Sequence, residues 1–160
     1  MSQVVILMGS KSDLPFVKKI VSALDEFGIA HEQRVASAHK SARYLLDLLA
    51  EYEASGEVGV YITVAGRSNA LSGMVDANVT APVIACPPYS EKYGGADLYS
   101  SLRLPSGVAP AVVLEPAGAA LLAAKILALR DPDLRARVAA AQRAHTEAIL
   151  AADGEIQDDD

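Results

Sequence analysis

One cysteine, Cys86, stands in this chain of 160 residues, and a lone thiol can build neither a disulfide framework nor a paired-cysteine metal site. Long apolar runs are missing too. Hydrophobic residues make up 51% of the sequence, yet no uninterrupted run reaches the roughly 20 residues that span a bilayer. No basic region precedes the first apolar segment, Val4–Met8, so no signal peptide is expected. Positive charge is scarce, with 14 Lys and Arg against 20 Asp and Glu. No basic stripe is interleaved with aromatics, which counts against a nucleic-acid partner. There is no internal repeat. The expectation is a single cytoplasmic domain over residues 1–152, with no membrane partner. Much of the net charge of −6 sits in Asp153–Asp160, which reads as an acidic, disordered tail.

What is present alternates. Val4–Met8 is a short continuous apolar run, as expected of a strand buried on both faces. Ser12–Phe27 has helical spacing, with Leu14, Val17, Ile20, Val21 and Leu24 on one face and Gly28 as its C-terminal stop. Ala30–Val35 is a more polar strand, placed nearer an edge. A second helix is predicted over His39–Ala54, a third strand over Val58–Val64 and a short helix over Leu71–Val79. Strands follow at Pro82–Ala85 and Ala111–Leu114, then helices at Ala117–Leu129 and Asp133–Ala152. Alternation with connections this short implies parallel strands and right-handed crossovers, hence a three-layer α/β/α sandwich of flavodoxin-like topology with extra C-terminal helices. The last helix carries Leu134, Val138, Ala141, His145, Ile149 and Ala152 on one stripe, more than five strands need for cover. A neighbouring subunit is a place to bury it.

In such sheets ligands collect beyond the carboxyl ends of the strands. The segments expected there are Gly9–Asp13, Ser37–Lys40, Ala65–Asn69 and Cys86–Tyr93, the most polar stretches between apolar elements. Ser37-Ala38-His39-Lys40 is the most informative. At a strand-to-helix junction it sets hydroxyl, imidazole and ammonium groups beside free backbone N–H donors, a geometry that holds a phosphate while presenting a base. Alone, Ser37 reads equally as a helix cap. Gly9-Ser10-Lys11-Ser12-Asp13 lacks the spacing of a Walker-type phosphate loop. Its Asp13 would repel a phosphate but suits the two hydroxyls of a ribose, unless Ser12 or Asp13 merely caps the helix. In Ala65-Gly66-Arg67-Ser68-Asn69, Gly66 permits close backbone approach and the next three residues supply donors. Three such loops at successive strand ends suggest a nucleotide-like ligand.

The order Gly-Ser-x-Ser-Asp, Ser-Ala-His and Ala-Gly resembles the purine-biosynthesis carboxylase family usually called PurE, over nearly the whole chain. Members act on 5-aminoimidazole ribonucleotide (AIR) and its carboxylated forms. Class I members, which rearrange N5-carboxy-AIR, typically carry Arg after Ser-Ala-His and a second histidine in Ala-Gly-Gly-Ala-Ala-His-Leu-Pro-Gly. Here Lys40 follows His39, and Ala70 occupies the place of that second histidine. Lys40, Gly66-Arg67-Ser68-Asn69, Cys86-Pro87-Pro88 and Ser100-Ser101-Leu102-Arg103-Leu104-Pro105-Ser106-Gly107 are all similar to class II, the direct AIR carboxylases. One departure is Ala70, where class II sequences often have glycine.

The resemblance implies a carboxy-lyase that converts AIR and CO2 reversibly to 4-carboxy-AIR, with no cofactor and no metal. The aminoimidazole is an electron-rich enamine whose C4 attacks CO2, and the C4 proton must then leave. His39 is the implied general acid/base, imidazole being the side chain that changes charge near neutral pH. By the same resemblance Ser10, Ser12 and Asp13 meet the ribonucleotide, and Ser37 and Lys40 its phosphate. Gly66 and Ser68 hold the heterocycle or nascent carboxylate through N–H groups, with Arg67 and Asn69 in the same shell. The implied assembly is a homo-octamer, with a tetramer as the alternative. The competing readings are the class I mutase and a non-catalytic nucleotide-binding module, since a fold does not set a function.

Overall fold

A computed structural model of the chain describes residues 3–158. Its sheet has five strands, β1 (Gln3–Met8), β2 (His31–Val35), β3 (Val58–Val64), β4 (Val83–Ala85) and β5 (Ala111–Val112). They lie in the order β2-β1-β3-β4-β5, and every neighbouring pair is parallel. Five helices connect or follow them: α1 (Leu14–Glu26), α2 (Ala42–Ser55), α3 (Leu71–Asp76), α4 (Pro116–Leu127) and α5 (Pro132–Asp158). Parallel neighbours cannot be closed by hairpins, so the helices cross over and cover both faces. The result is the expected flavodoxin-like α/β/α sandwich.

Side-chain alternation sorts the core into two layers. Val4, Ile6 and Met8 of β1 and Val60, Ile62 and Val64 of β3 face α1, α4 and the first turns of α5. Val5, Leu7 and Tyr61 face the opposite way, onto Leu45, Leu48 and Leu49 of α2 and Leu71 and Val75 of α3. Both faces of β1 are therefore dry, which is why its sequence shows no polar alternation. Each such aliphatic side chain contributes about 1.5–3 kcal/mol when fully buried. β2 pairs only with β1 and is only part-buried, so its polarity does mark an edge. Gly28 (φ +63°) and Gly56 (φ +65°) supply the left-handed residues that end α1 and α2.

Three boundaries differ from the sequence reading by three residues or more. α2 starts at Ala42 rather than His39, because Ser37–Ser41 folds into its own turn. α3 stops at Asp76, and the Asn78 amide then donates to the Met74 carbonyl at 2.7 Å, an alternative to continued helix. α5 does not give way to a disordered tail at Asp153. It runs on through the acidic stretch to Asp158, while Asp159 and Asp160 lie outside the described residues. Asp131 caps its start, accepting the Leu134 N–H at 2.9 Å, and Arg137 Nε donates to the Phe27 carbonyl at 2.9 Å. Of the apolar stripe on α5, only Leu134 and Val138 are buried within the chain. Ile149 is 71% exposed.

The chain leaves β1 for β2 on one side and then returns to β3 on the other. This reversal of winding opens a crevice at the carboxyl edge of the central strands.

Candidate active site

Loops after β1, β2, β3 and β4 enclose an open cleft of about 570 Å³ at that edge. The volume lies in the usual range for small-molecule sites. Nine of the ten sequence-predicted residues line it: Ser10, Ser12 and Asp13; Ser37, His39 and Lys40; Gly66, Arg67 and Ser68. The fourth loop adds Pro88, Tyr89 and Ser90.

The first loop makes one 3₁₀ turn, Lys11–Asp13, capped by Ser10, and Asp13 stands at the N-cap position of α1 without a side-chain cap bond to that helix. Ser10 Oγ accepts the Ser12 N–H at 3.2 Å, and Asp13 Oδ2 accepts the Ser10 N–H at 3.2 Å, a reciprocal capping box. Asp13 is thus held by the turn it closes. Burial pushes its carboxyl above the usual carboxylate range, against the pull of the Ser10 N–H and the Arg67 charge.

In the second loop Ser37 and Ser41 lock a turn. Ser41 Oγ accepts the Ser37 N–H at 2.9 Å and lies 3.1 Å from the Ser37 carbonyl, to which it donates. Ser37 Oγ accepts the Lys40 N–H at 3.2 Å, which leaves its own proton to give. His39 and Lys40 project from this turn, both exposed. Among the described residues neither His39 ring nitrogen has a hydrogen-bond partner, and neither Lys40 nor Arg67 has a salt bridge. The cleft therefore holds an imidazole without a hydrogen bond and two cations without a salt bridge.

The third loop is strained and clamped. Arg67 has φ +58°, the only positive φ at a non-glycine among the described residues. A left-handed conformation costs an L-residue about 1–2 kcal/mol, and it persists only where surrounding contacts over-determine it. Those contacts come from a 3₁₀ segment, Ala96–Ser101. Asp97 Oδ2 accepts the Arg67 N–H at 2.7 Å, and Ser100 Oγ donates toward the Arg67 carbonyl at 2.9 Å and accepts the Asn69 N–H at 3.0 Å. Asn69 is the tenth candidate, and it does not line the cleft. Only 4% exposed, it donates from Nδ2 to Ser101 Oγ at 2.9 Å and accepts the Ser72 N–H at 3.3 Å, so its amide is spent on the scaffold. Ala70 takes ordinary right-handed angles (φ −80°, ψ −15°), a conformation that does not require glycine.

Cys86 at the head of the fourth loop is buried, and burial pushes its thiol up to about 12, so it is no nucleophile near neutral pH. Asp97, Ser100 and Ser101 were missed as site residues. They lie 30 or more positions from the loop they hold, and only the tertiary fold joins them to it.

Sheet and cleft together define the class: a doubly wound parallel-sheet protein with a polar, cation-bearing cleft at its switch point. A family model described as AIR carboxylase matches residues 3–148, and the chain belongs to that family. It is 56% identical to phosphoribosylaminoimidazole carboxylase of Archaeoglobus fulgidus, over 96% of this chain and 84% of that one. The Treponema denticola protein of the same name is 49% identical, over 96% of this chain and 97% of that one. The human bifunctional phosphoribosylaminoimidazole carboxylase/phosphoribosylaminoimidazole succinocarboxamide synthetase is 48% identical, over 81% of this chain and 30% of that protein. The crystal structure of Treponema denticola PurE superposes with a TM-score of 0.94, covering 97% of this chain and 98% of that one.

Proposed function

We propose that the chain catalyses the class II reaction of purine biosynthesis, the reversible carboxylation of AIR by CO2 to 4-carboxy-AIR. The observation that carries this reading is the convergence of nine residues on one cleft, with an unengaged imidazole beside two unpaired cations. C4 of the aminoimidazole attacks CO2 and a C–C bond forms. His39 then takes the C4 proton, restoring aromaticity, and returns it in the reverse direction. Ser10, Ser12 and Asp13 meet the ribonucleotide, with Asp13 on the ribose hydroxyls, and Ser37 and Lys40 meet its phosphate. The Gly66 and Ser68 N–H groups, which have no intramolecular acceptor among the described residues, meet the carboxylate as it forms. Arg67 adds its charge at the same end.

Purified protein is expected to form 4-carboxy-AIR from AIR and CO2 without ATP, biotin or added metal. The same assay run on N5-carboxy-AIR separates the two classes. Turnover of that substrate alone would overturn the class II assignment in favour of the mutase.

The partners belong to this proposal as well. We place the enzyme in the cytoplasm as a homo-octamer, with a tetramer as the alternative. No helix among the described residues is long and apolar enough to cross a membrane, so the exposed Ile149 and Leu150 of α5 need another cover. A second copy of the chain supplies one. Light scattering coupled to size exclusion should report the octamer for the full chain. Truncation before Asp133 should break or aggregate it, and loss of 154–160 alone should change little. A stable, active monomer would sink the assembly.

A further inference from the structure

We propose that Asp97 is a positioning residue for this reaction: it holds Arg67 in the left-handed conformation and so aims the Gly66 and Ser68 N–H groups at the reacting carboxylate. The inference rests on the carboxylase reading of the cleft.

Asp97 stands in a cleft meant for anionic groups, where a carboxylate repels the ligand unless it does something else. It does: Oδ2 lies 2.7 Å from the Arg67 nitrogen, a short charge-assisted bond. That bond removes the Arg67 N–H from the donors open to ligand and leaves those on either side. Ser100 holds the other half of the same residue, its hydroxyl proton lying between the Arg67 carbonyl (2.9 Å) and the Asp97 carbonyl (2.8 Å). The left-handed residue is therefore tethered at both its N–H and its C=O. Gly66 completes the fit. A Cβ there would sit 3.4 Å from Asp97 Oδ2 and 3.8 Å from the Pro88 carbonyl, so the loop packs directly against its clamp.

The test compares Asp97→Ala and Asp97→Asn in the wild-type and Arg67→Gly backgrounds. Carboxylation kinetics and amide hydrogen exchange over residues 65–70 are read for each. Asp97→Ala is expected to lower kcat by about 10- to 100-fold, the scale of a small misplacement of catalytic donors, with KM for AIR within about twofold because the phosphate is held elsewhere. Exchange at Arg67 and Asn69 should accelerate. Asp97→Asn should recover most of the rate, since its amide oxygen accepts the same N–H. In the Arg67→Gly background the added loss from Asp97→Ala should shrink several-fold, because glycine adopts the left-handed region without penalty. Wild-type kcat in Asp97→Ala would overturn the proposal, as would a loss confined to KM, no recovery with Asn, or an equal loss in both backgrounds. If the unmodified protein does not carboxylate AIR, the carboxylase reading has failed. Exchange rates that Asp97→Ala leaves unchanged would then overturn the clamp independently.

Discussion

His39→Asn should lower turnover by about 10²–10⁴-fold, the loss typical of removing a general base, while AIR still binds. Asn approximates the size and hydrogen bonding of an imidazole but cannot take the C4 proton. No neighbour is placed to substitute. Asp13 is tied into the capping box and Asp97 into the Arg67 N–H, and Lys40 is a cation assigned to phosphate. His39 is the one histidine lining the cleft, and both of its ring nitrogens are without a partner among the described residues. Because an enzyme cannot move the overall equilibrium, carboxylation of AIR and decarboxylation of 4-carboxy-AIR should fall by the same factor where both bind unchanged. Steady-state rates in each direction, with calorimetric binding of AIR, measure this. A variant that turns over at close to the wild-type rate would mean the base lies elsewhere.

The layers of the fold were legible because their signals are local. A five-residue apolar run bounded by polar loops leaves little but a doubly buried strand, and β1 and β3 fall where their runs do. The boundaries that moved did so for reasons that apolar spacing does not carry. The spacing of Leu45, Leu48 and Leu49 sets the buried face of α2 but not its first residue, and Ser37 and Ser41 exchange hydrogen bonds that hold His39 in a turn ahead of the helix. That shift matters for function, because a residue on a turn can present both ring nitrogens to a ligand. At the other end α5 keeps its helix through Asp153 and Glu155, where charge density suggested disorder.

The site was legible in part for a different reason. Parallel strands bring their carboxyl ends to one edge, so residues dispersed over Ser10–Ser68 could be assigned to a single cleft once the topology was inferred. Spacing could not tell which members of a polar run face the ligand. Ser68 and Asn69 look interchangeable in sequence, yet Asn69 turns inward to Ser101. Nor could it reveal Asp97, whose partner is a backbone N–H and therefore leaves no mark in the identity of the residue that carries it.

Lys40→Ala should weaken AIR binding by about 1.5–3 kcal/mol, the worth of a hydrogen bond to a charged group, or about 10- to 150-fold in Kd. The change removes a cation that has no salt-bridge partner among the described residues, so it leaves no orphaned carboxylate behind and should not unfold the loop. The Lys40 backbone N–H stays bonded to Ser37 Oγ, keeping the turn intact. The control is the dephosphorylated nucleoside, whose weaker binding should hardly change. Salt offers a second control, since screening should weaken wild-type binding of the nucleotide more than it weakens the variant's. Arg67 is the other free cation in the cleft and sits on the loop assigned to the carboxylate end. If it held the phosphate instead, Arg67→Ala would discriminate nucleotide from nucleoside and Lys40→Ala would not. Equal losses for nucleotide and nucleoside in Lys40→Ala would contradict the phosphate assignment and turn the two ends of the ligand around in the cleft.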